Sequence, residues 1–200
     1  MGTTERKQRQ KEEVYDSILA AAWKLVKDEG WQGLSIRKIA EAIEYSVPVI
    51  YDHFANKEAI LAEFTKQGFS ELNEILLEAA LSVEEPAESL RAISVAYWKF
   101  GREHTEYYQL MYGMGMPSCE TVSSMTELQD LTSILQRAIE RVLRLSGPGE
   151  QNSFVKMKSL WSMLHGLVSI QLMKNAESDD ESDKEVVDES IKNFIAALNS

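Results

Sequence analysis

Apolar residues in this 200-residue chain recur at three- and four-residue spacing, and nowhere do they alternate with polar ones long enough to make a strand. That pattern confines the chain to an all-α fold. Composition agrees: ten glycines and four prolines are few for this length, and a 44% hydrophobic content suffices for a core. The glycines and prolines act as punctuation, and about nine helices are expected.

The first helix is expected over 8–28, with Val14, Ile18, Ala21 and Leu25 on one face and Gly30 ending it. Ser35 is placed to cap a second helix that turns Ile36, Ile39, Ala40 and Ile43 inward. A longer helix begins near Asn56, with an inner stripe of Leu61, Phe64, Gly68, Leu72, Ile75 and Ala79. Pro86 suits the first turn of the next, whose face is Leu90, Ile93, Tyr97 and Gly101. Gly113, Gly115 and Pro117 break the segment that follows. A helix over 121–145 carries Leu128, Leu131, Leu135, Ala138, Val142 and Leu145, and Gly147-Pro148-Gly149 stops it. Helices over 152–175 and 183–199 complete the chain, the last with Val187, Ile191, Phe194 and Leu198 on one face after the acidic run 177–189.

Between the second and fourth of these lies YSVPVIYDHFANK, residues 45–57. Counted from Ser46 as N-cap, Pro48 is the second residue of a short helix. There its missing N–H costs no helical bond and its ring meets no carbonyl one turn back. Ser46 could cap the N–H of Val49. Residues 36–43, a turn at 44–46 and a helix over 47–54 then describe a helix-turn-helix. Ile50 and Phe54 face inward onto Leu34, Ile39 and Ile43. Val47, Pro48, Val49, Tyr51 and His53 remain near the open side, where a short helix can enter a DNA major groove.

The charge is unevenly spread. The chain has a formal net charge of −11, yet residues 1–60 carry nine basic and ten acidic side chains, so nearly all the acidity lies in the remaining 140. The start is locally basic at Arg6, Lys7, Arg9 and Lys11. These four either reach the minor groove or the phosphates of a nucleic acid or merely solubilise a disordered tail. A near-neutral module beside an acidic body suggests two jobs.

The string LSIRKIAEAIEYSVPVIYDHFANKEAIL, residues 34–61, resembles the DNA-binding segment of TetR-type (tetracycline-repressor-like) transcriptional regulators. The resemblance implies a helix-turn-helix domain over residues 1–56 and a helical effector-binding and dimerisation domain over 57–200. It implies a homodimer on a palindromic double-stranded operator, usually as a repressor released by a small molecule. Ser35, Arg37, Ser46, Val47, Pro48, Val49, Tyr51, His53 and Lys57 then fall on DNA-binding positions. Arg37 would reach a base edge or phosphate, and Val47, Pro48 and Val49 would read bases. Tyr51, His53 and Lys57 would hold phosphates. Two residues depart from the pattern. Glu44 stands where the family often has a turn glycine, and Asp52 either accepts from a cytosine amino group or faces solvent.

In the larger part, LWSMLHGLVSIQL (160–172) resembles the tryptophan-histidine-glycine signature of one class of C-terminal domain in this family. Trp161 and His165 share a helical face, and Gly166 would permit close helix approach. Tyr97, Trp98, Tyr108, Met111, Tyr112, Met125, Trp161 and His165 either line an adaptable apolar pocket for a small hydrophobic or aromatic effector or fill a helical core. The last two helices are expected to pair with their copies in the dimer.

Rival classes have less to stand on. The chain lacks a Gly-rich phosphate loop, HExxH and Gly-x-Ser-x-Gly, and its three histidines are scattered. No catalytic residue, cofactor or metal site is expected; Glu103, His104 and Glu106 lack a second histidine at ligand spacing. Effector-independent DNA binding and a helical adaptor without ligand remain alternatives. A single cysteine, Cys119, the polar start and the want of a long apolar run fit a cytoplasmic protein with no membrane partner.

Overall fold

The computed structural model describes residues 2–113, 125–145, 152–173 and 180–199. Cys119, Gly115, Pro117, Thr121 and the Gly147-Pro148-Gly149 stop lie outside them. Among the described residues there are nine helices and no strand: α1 (Thr3–Gly33), α2 (Ile36–Ala42), α3 (Val47–Tyr51), α4 (Lys57–Leu81), α5 (Pro86–Glu103), α6 (Thr105–Met111), α7 (Thr126–Leu143), α8 (Ser153–Leu172) and α9 (Asp180–Leu198). They group into two compact units. The first takes in the residues up to Thr65 and Gln109–Gly113; the second takes in Lys66–Tyr108 and the described residues from Met125 onward.

In the first unit α1 begins five residues earlier than the sequence suggests and buries Val14, Ile18, Ala22 and Val26. Ala21 and Leu25, expected inside, are only half-buried, because the packed face follows a strict four-residue step. Gly30 does interrupt the helix: its φ of 73° is open to glycine at little cost. The kink turns Trp31 and Leu34 into the core. Trp31 there meets Trp23 and Phe64, ring centroids 5.5–5.8 Å apart across the three pairs. Aromatic pairs of this kind add about 0.5–1.5 kcal/mol each beyond the area they bury. Lys38 of α2 pairs with Glu29 of α1.

In the second unit α5 is the hub, with α7, α8 and α9 packed against it. Its buried face is Leu90, Ile93, Tyr97 and Gly101, as the spacing predicts. Glu85 caps the helix by accepting from the Ala87 and Glu88 N–H groups, which holds its carboxyl below the ordinary range. Asn152 caps α8 through the N–H groups of Phe154 and Val155. Helix α7 buries Leu131, Leu135, Ala138, Ile139 and Val142, but Leu128 is only half-buried and Leu145 lies exposed beyond the helix end.

Packing within the chain differs from the sequence expectation at two places. Within the chain Gly166 is not a point of close approach, since a Cβ built there meets nothing within 4 Å. A tight glycine between helices is Gly101, where a Cβ would run into both methyl groups of Val168 on α8. The face of α9 does not wait for a second copy: Val187, Ile191 and Leu198 are buried within the chain and Phe194 half-buried. Among the described residues no helix is long and apolar enough to cross a membrane.

Candidate nucleic-acid interface and aromatic network

A five-residue helix cannot stand alone in water, so α3 depends on what holds it. Helix α2 ends in a Schellman turn: the Tyr45 N–H donates to the Ala40 carbonyl and the Glu44 N–H to the Glu41 carbonyl. Glu44 occupies the left-handed position with φ 58°. For a non-glycine residue that conformation costs about 1–2 kcal/mol, so the departure from glycine is carried as backbone strain.

Ser46 then stands at the N-cap with Val47 first and Pro48 second in α3. The capping differs from expectation. Neither Ser35 nor Ser46 makes a side-chain cap bond, and the Val49 N–H is met by the Ser46 backbone carbonyl at 3.0 Å. Pro48 donates nothing, but its carbonyl accepts from the Asp52 N–H at 3.1 Å. The regular helix stops at Tyr51, one turn short of the expected Phe54; a bond from the Phe54 N–H to the Ile50 carbonyl continues the winding.

Ile50 has no exposed surface and Phe54 is buried. Phe54 stacks on Tyr15 of α1 at 5.0 Å, and the His53 ring lies 6.3 Å from the same tyrosine. Burial, followed by the nearby Glu63 carboxylate, raises the pKa of Tyr15 and keeps its phenol neutral. The outer side of the motif carries Arg37, Ser46, Pro48, Tyr51 and Asp52, all exposed, with Ser35, Val47, Val49 and His53 half-buried among them. Lys57, at the start of α4, lies half-buried with Nζ 3.4 Å from the Trp31 carbonyl. Asn56 accepts from the Ala59 N–H, closing the first turn of that helix.

Four of the eight residues considered for an effector pocket come together in the second unit. Trp161 Nε1–H donates to the Tyr97 hydroxyl at 3.2 Å, which lies 3.3 Å from the Tyr108 hydroxyl. The Tyr108 hydroxyl is 2.7 Å from His165 Nδ1, and His165 Nε2 is 3.4 Å from the Ser169 hydroxyl. One proton arrangement satisfies the chain: each group donates to the next, with His165 neutral, accepting at Nδ1 and donating from Nε2. Burial lowers the His165 pKa, which favours that neutral form. Ser169, one turn beyond His165, was not foreseen; its i, i+4 spacing was the available signal.

The other four are placed elsewhere. Trp98, the neighbour of Tyr97, points to another side of α5, where Arg102 lies over its ring at 4.8 Å. It borders a cavity of about 250 Å³ with Leu167, Ile170, Gln171 and Val187. Among the described residues the Gln171 Oε1 is buried without a hydrogen-bond partner. Met125 stands at the N-cap of α7, outside the hydrogen-bonded chain. Met111, buried, and Tyr112, half-buried, group with the first unit. His104 pairs with Glu71 at 3.3 Å and stacks on Phe100. Among the described residues no three His, Cys, Asp or Glu side chains converge to hold a metal.

The profile of the bacterial regulatory proteins of the tetR family matches residues 18–64, and that of the tetracycline repressor-like C-terminal domain matches residues 90–194. The second match alone spans more than half of the chain. The chain belongs to the TetR family. Among its relatives, the HTH-type transcriptional repressor NicS of Pseudomonas putida is 25% identical over 96 residues, 48% of this chain and 45% of NicS. The chain thus aligns with less than half the length of that relative. The HTH-type transcriptional regulator YobS of Bacillus subtilis is 22% identical over 90% of each chain. The crystal structure of AibR with isovaleryl coenzyme A and operator DNA superposes with a TM-score of 0.67, at 20% identity, covering 90% of this chain and 97% of that one.

The burial of His165 makes stability depend on pH. A histidine whose pKa is lower folded than unfolded binds its proton more readily in the unfolded state, so stability rises with pH between the two values. The melting temperature should fall as pH drops through about 6.5, the unfolded value. In His165→Gln this fall should be shallower. Thermal melts of both proteins across pH 5–8 check it, and parallel curves would contradict it.

Proposed function

We propose that this chain is a homodimeric transcriptional repressor that binds a palindromic operator through α2 and α3 and leaves it when a small molecule binds the larger domain. The supporting observation is the Val47–Pro48–Val49 edge, which stands at the open start of a short helix whose inner side is pinned by Ile50 and Phe54. In this reading Val47, Pro48 and Val49 contact base edges; Pro48 offers a rigid apolar edge to a thymine methyl. Ser35, Arg37, Ser46, Tyr51, His53 and Lys57 position the phosphates. Residues 1–56 serve operator binding, and 57–200 serve effector binding and dimerisation.

Dimerisation is assigned to a stripe along α8. Val155, Ser159, Ser162, Gly166, Ile170 and Met173 follow one another at three- and four-residue steps, and Val155, Ile170 and Met173 are 55–80% exposed. The small residues between them let a second copy lie close, and Gly166 finds its use there. A dimer places two reading heads on one face of the duplex.

An effector site in this domain draws support from the Trp98 cavity and its unpartnered Gln171 oxygen, which suit a small, mainly apolar ligand carrying one hydrogen-bond donor. AibR, of the same fold, binds an acyl coenzyme A and operator DNA. The residues 160–172 keep their resemblance to the tryptophan-histidine-glycine class. The mutual hydrogen bonds of Tyr97, Tyr108, Trp161 and His165 favour a second reading, in which that set is fixed core and DNA binding is effector-independent. An effector acts only by binding one spacing of the reading heads better than another.

Lys57→Ala should weaken binding to every duplex and lower the salt slope by about one unit per protomer, whereas Val47→Ala should mainly shift base preference. Binding isotherms on the selected operator and on single-base variants decide it. Equal losses on every sequence would overturn the assignment of roles.

A further inference from the structure

From residue 4 to residue 13 every side chain is exposed, and the first core residue is Val14. The start of the chain is nonetheless helical from Thr3, continuous with the packed part of α1. Its helical winding brings Arg6, Arg9, Gln10, Glu13 and Ser17 onto one face, and that face meets Tyr45 in a groove of about 500 Å³. Tyr45 is the last residue of the Schellman turn and precedes Ser46, the N-cap of α3. The groove is therefore contiguous with the start of the reading helix.

The chemistry of the groove is suited to an anion. Arg6 and Arg9 are exposed, and neither is paired with a carboxylate among the described residues, although Glu13 lies one turn from Arg9. The Ser17 hydroxyl is occupied by the Glu13 carbonyl. Tyr45 is 45% exposed, with its phenol available to donate. A guanidinium presents a planar fork that matches phosphate oxygens, and a duplex lying against Val47 carries its backbone past the residues beside the start of α3.

We propose that Arg6 and Arg9, with Tyr45, form a phosphate clamp that grips the duplex backbone outside the bases faced by α3. The clamp rests on the reading of the chain as a DNA regulator. It extends the footprint beyond the helix-turn-helix and gives the core-free turns of α1 a task. Because phosphates carry no base identity, the clamp raises affinity and salt dependence without altering sequence preference.

The test uses the full chain, a duplex selected by the wild-type protein from a random pool, and a trimmed form lacking about half a helical turn (about 5 bp) at each end. Arg6→Gln with Arg9→Gln should weaken binding to the long duplex about tenfold or more at moderate salt and lower the log–log salt slope by about two units per protomer. The same pair as Arg6→Lys with Arg9→Lys should keep most of the slope, since the charge remains. On the trimmed duplex wild type and glutamine variant should converge. Equal affinity and slope on the long duplex would overturn the clamp, provided circular dichroism shows both proteins folded. If the wild-type protein selects no sequence, the regulator reading fails, and a random duplex at low salt judges the clamp alone. Weaker binding by the glutamine variant there supports it, and equal binding overturns it.

Discussion

Ile50→Ala should destabilise the first unit by about 2–5 kcal/mol and abolish operator binding at concentrations where the folded protein still persists. Ile50 has no exposed surface and is the only buried residue within the five-residue α3. Truncation removes its apolar burial and leaves a cavity under a helix too short to persist unaided. The helix should fray first, because its other anchor, Phe54, follows it on the chain and stacks on Tyr15. Denaturant unfolding followed by tryptophan fluorescence, to which Trp23 and Trp31 of the first unit contribute beside Trp98 and Trp161 of the second, measures the stability. A gel shift at matched concentration measures the binding. Unchanged binding with lowered stability would mean that α3 keeps its place without Ile50.

Gly101→Ala should cost about 1–3 kcal/mol in the second unit, although alanine is the better helix former by about 1 kcal/mol. The added methyl has nowhere to go, because Val168 of α8 fills the space and the Tyr108 ring lies 3.3 Å away. Val168→Ala should recover part of the loss in the double variant. Gly166→Ala is the control: a Cβ there meets open space, so the monomer should gain stability from helix propensity. If α8 carries the dimer contact, that substitution should instead loosen the dimer, which sedimentation at graded concentrations would show. A Gly101→Ala protein as stable as wild type would contradict the packing of α5 on α8.

The contrast between the two glycines shows what periodicity can and cannot reveal. The sequence pattern places both on helices and even puts Gly101 on the inner stripe of α5. Which one meets a neighbour depends on where α5 and α8 cross, and that is fixed by side chains more than sixty residues apart. The same limit explains α9. Its stripe of Val187, Ile191, Phe194 and Leu198 announces a covered face, but not whether the cover comes from α5 of the same chain or from a second copy. The aromatic network was legible as a set of residue types. Its connectivity was not, because the Tyr97–Tyr108 pair spans a helix break and the Trp161 and His165 partners come from α8.

The helix-turn-helix was the most readable part, because local chemistry decides it. Pro48 can start a helix only where no donor is needed, and the turn before it needs a left-handed residue. Glu44 takes that position with φ 58°. The drift of the α1 face from Ala21 and Leu25 to Ala22 and Val26 was less readable. A four-residue step and a 3.6-residue step diverge by only about 40° per repeat, and the aromatic neighbours settle which is used. Asp52 is exposed at the C-cap of α3, which places its carboxylate at the surface.

Whether two copies of α3 read a palindromic site is decided by selecting bound genomic fragments and footprinting the enriched duplex. The expected result is a two-fold symmetric protected site whose affinity falls steeply with salt, by a factor of about 10³ or more between 50 and 200 mM for a dimer making six or more phosphate contacts. No enrichment of any sequence, or protection without symmetry at low salt, would contradict it.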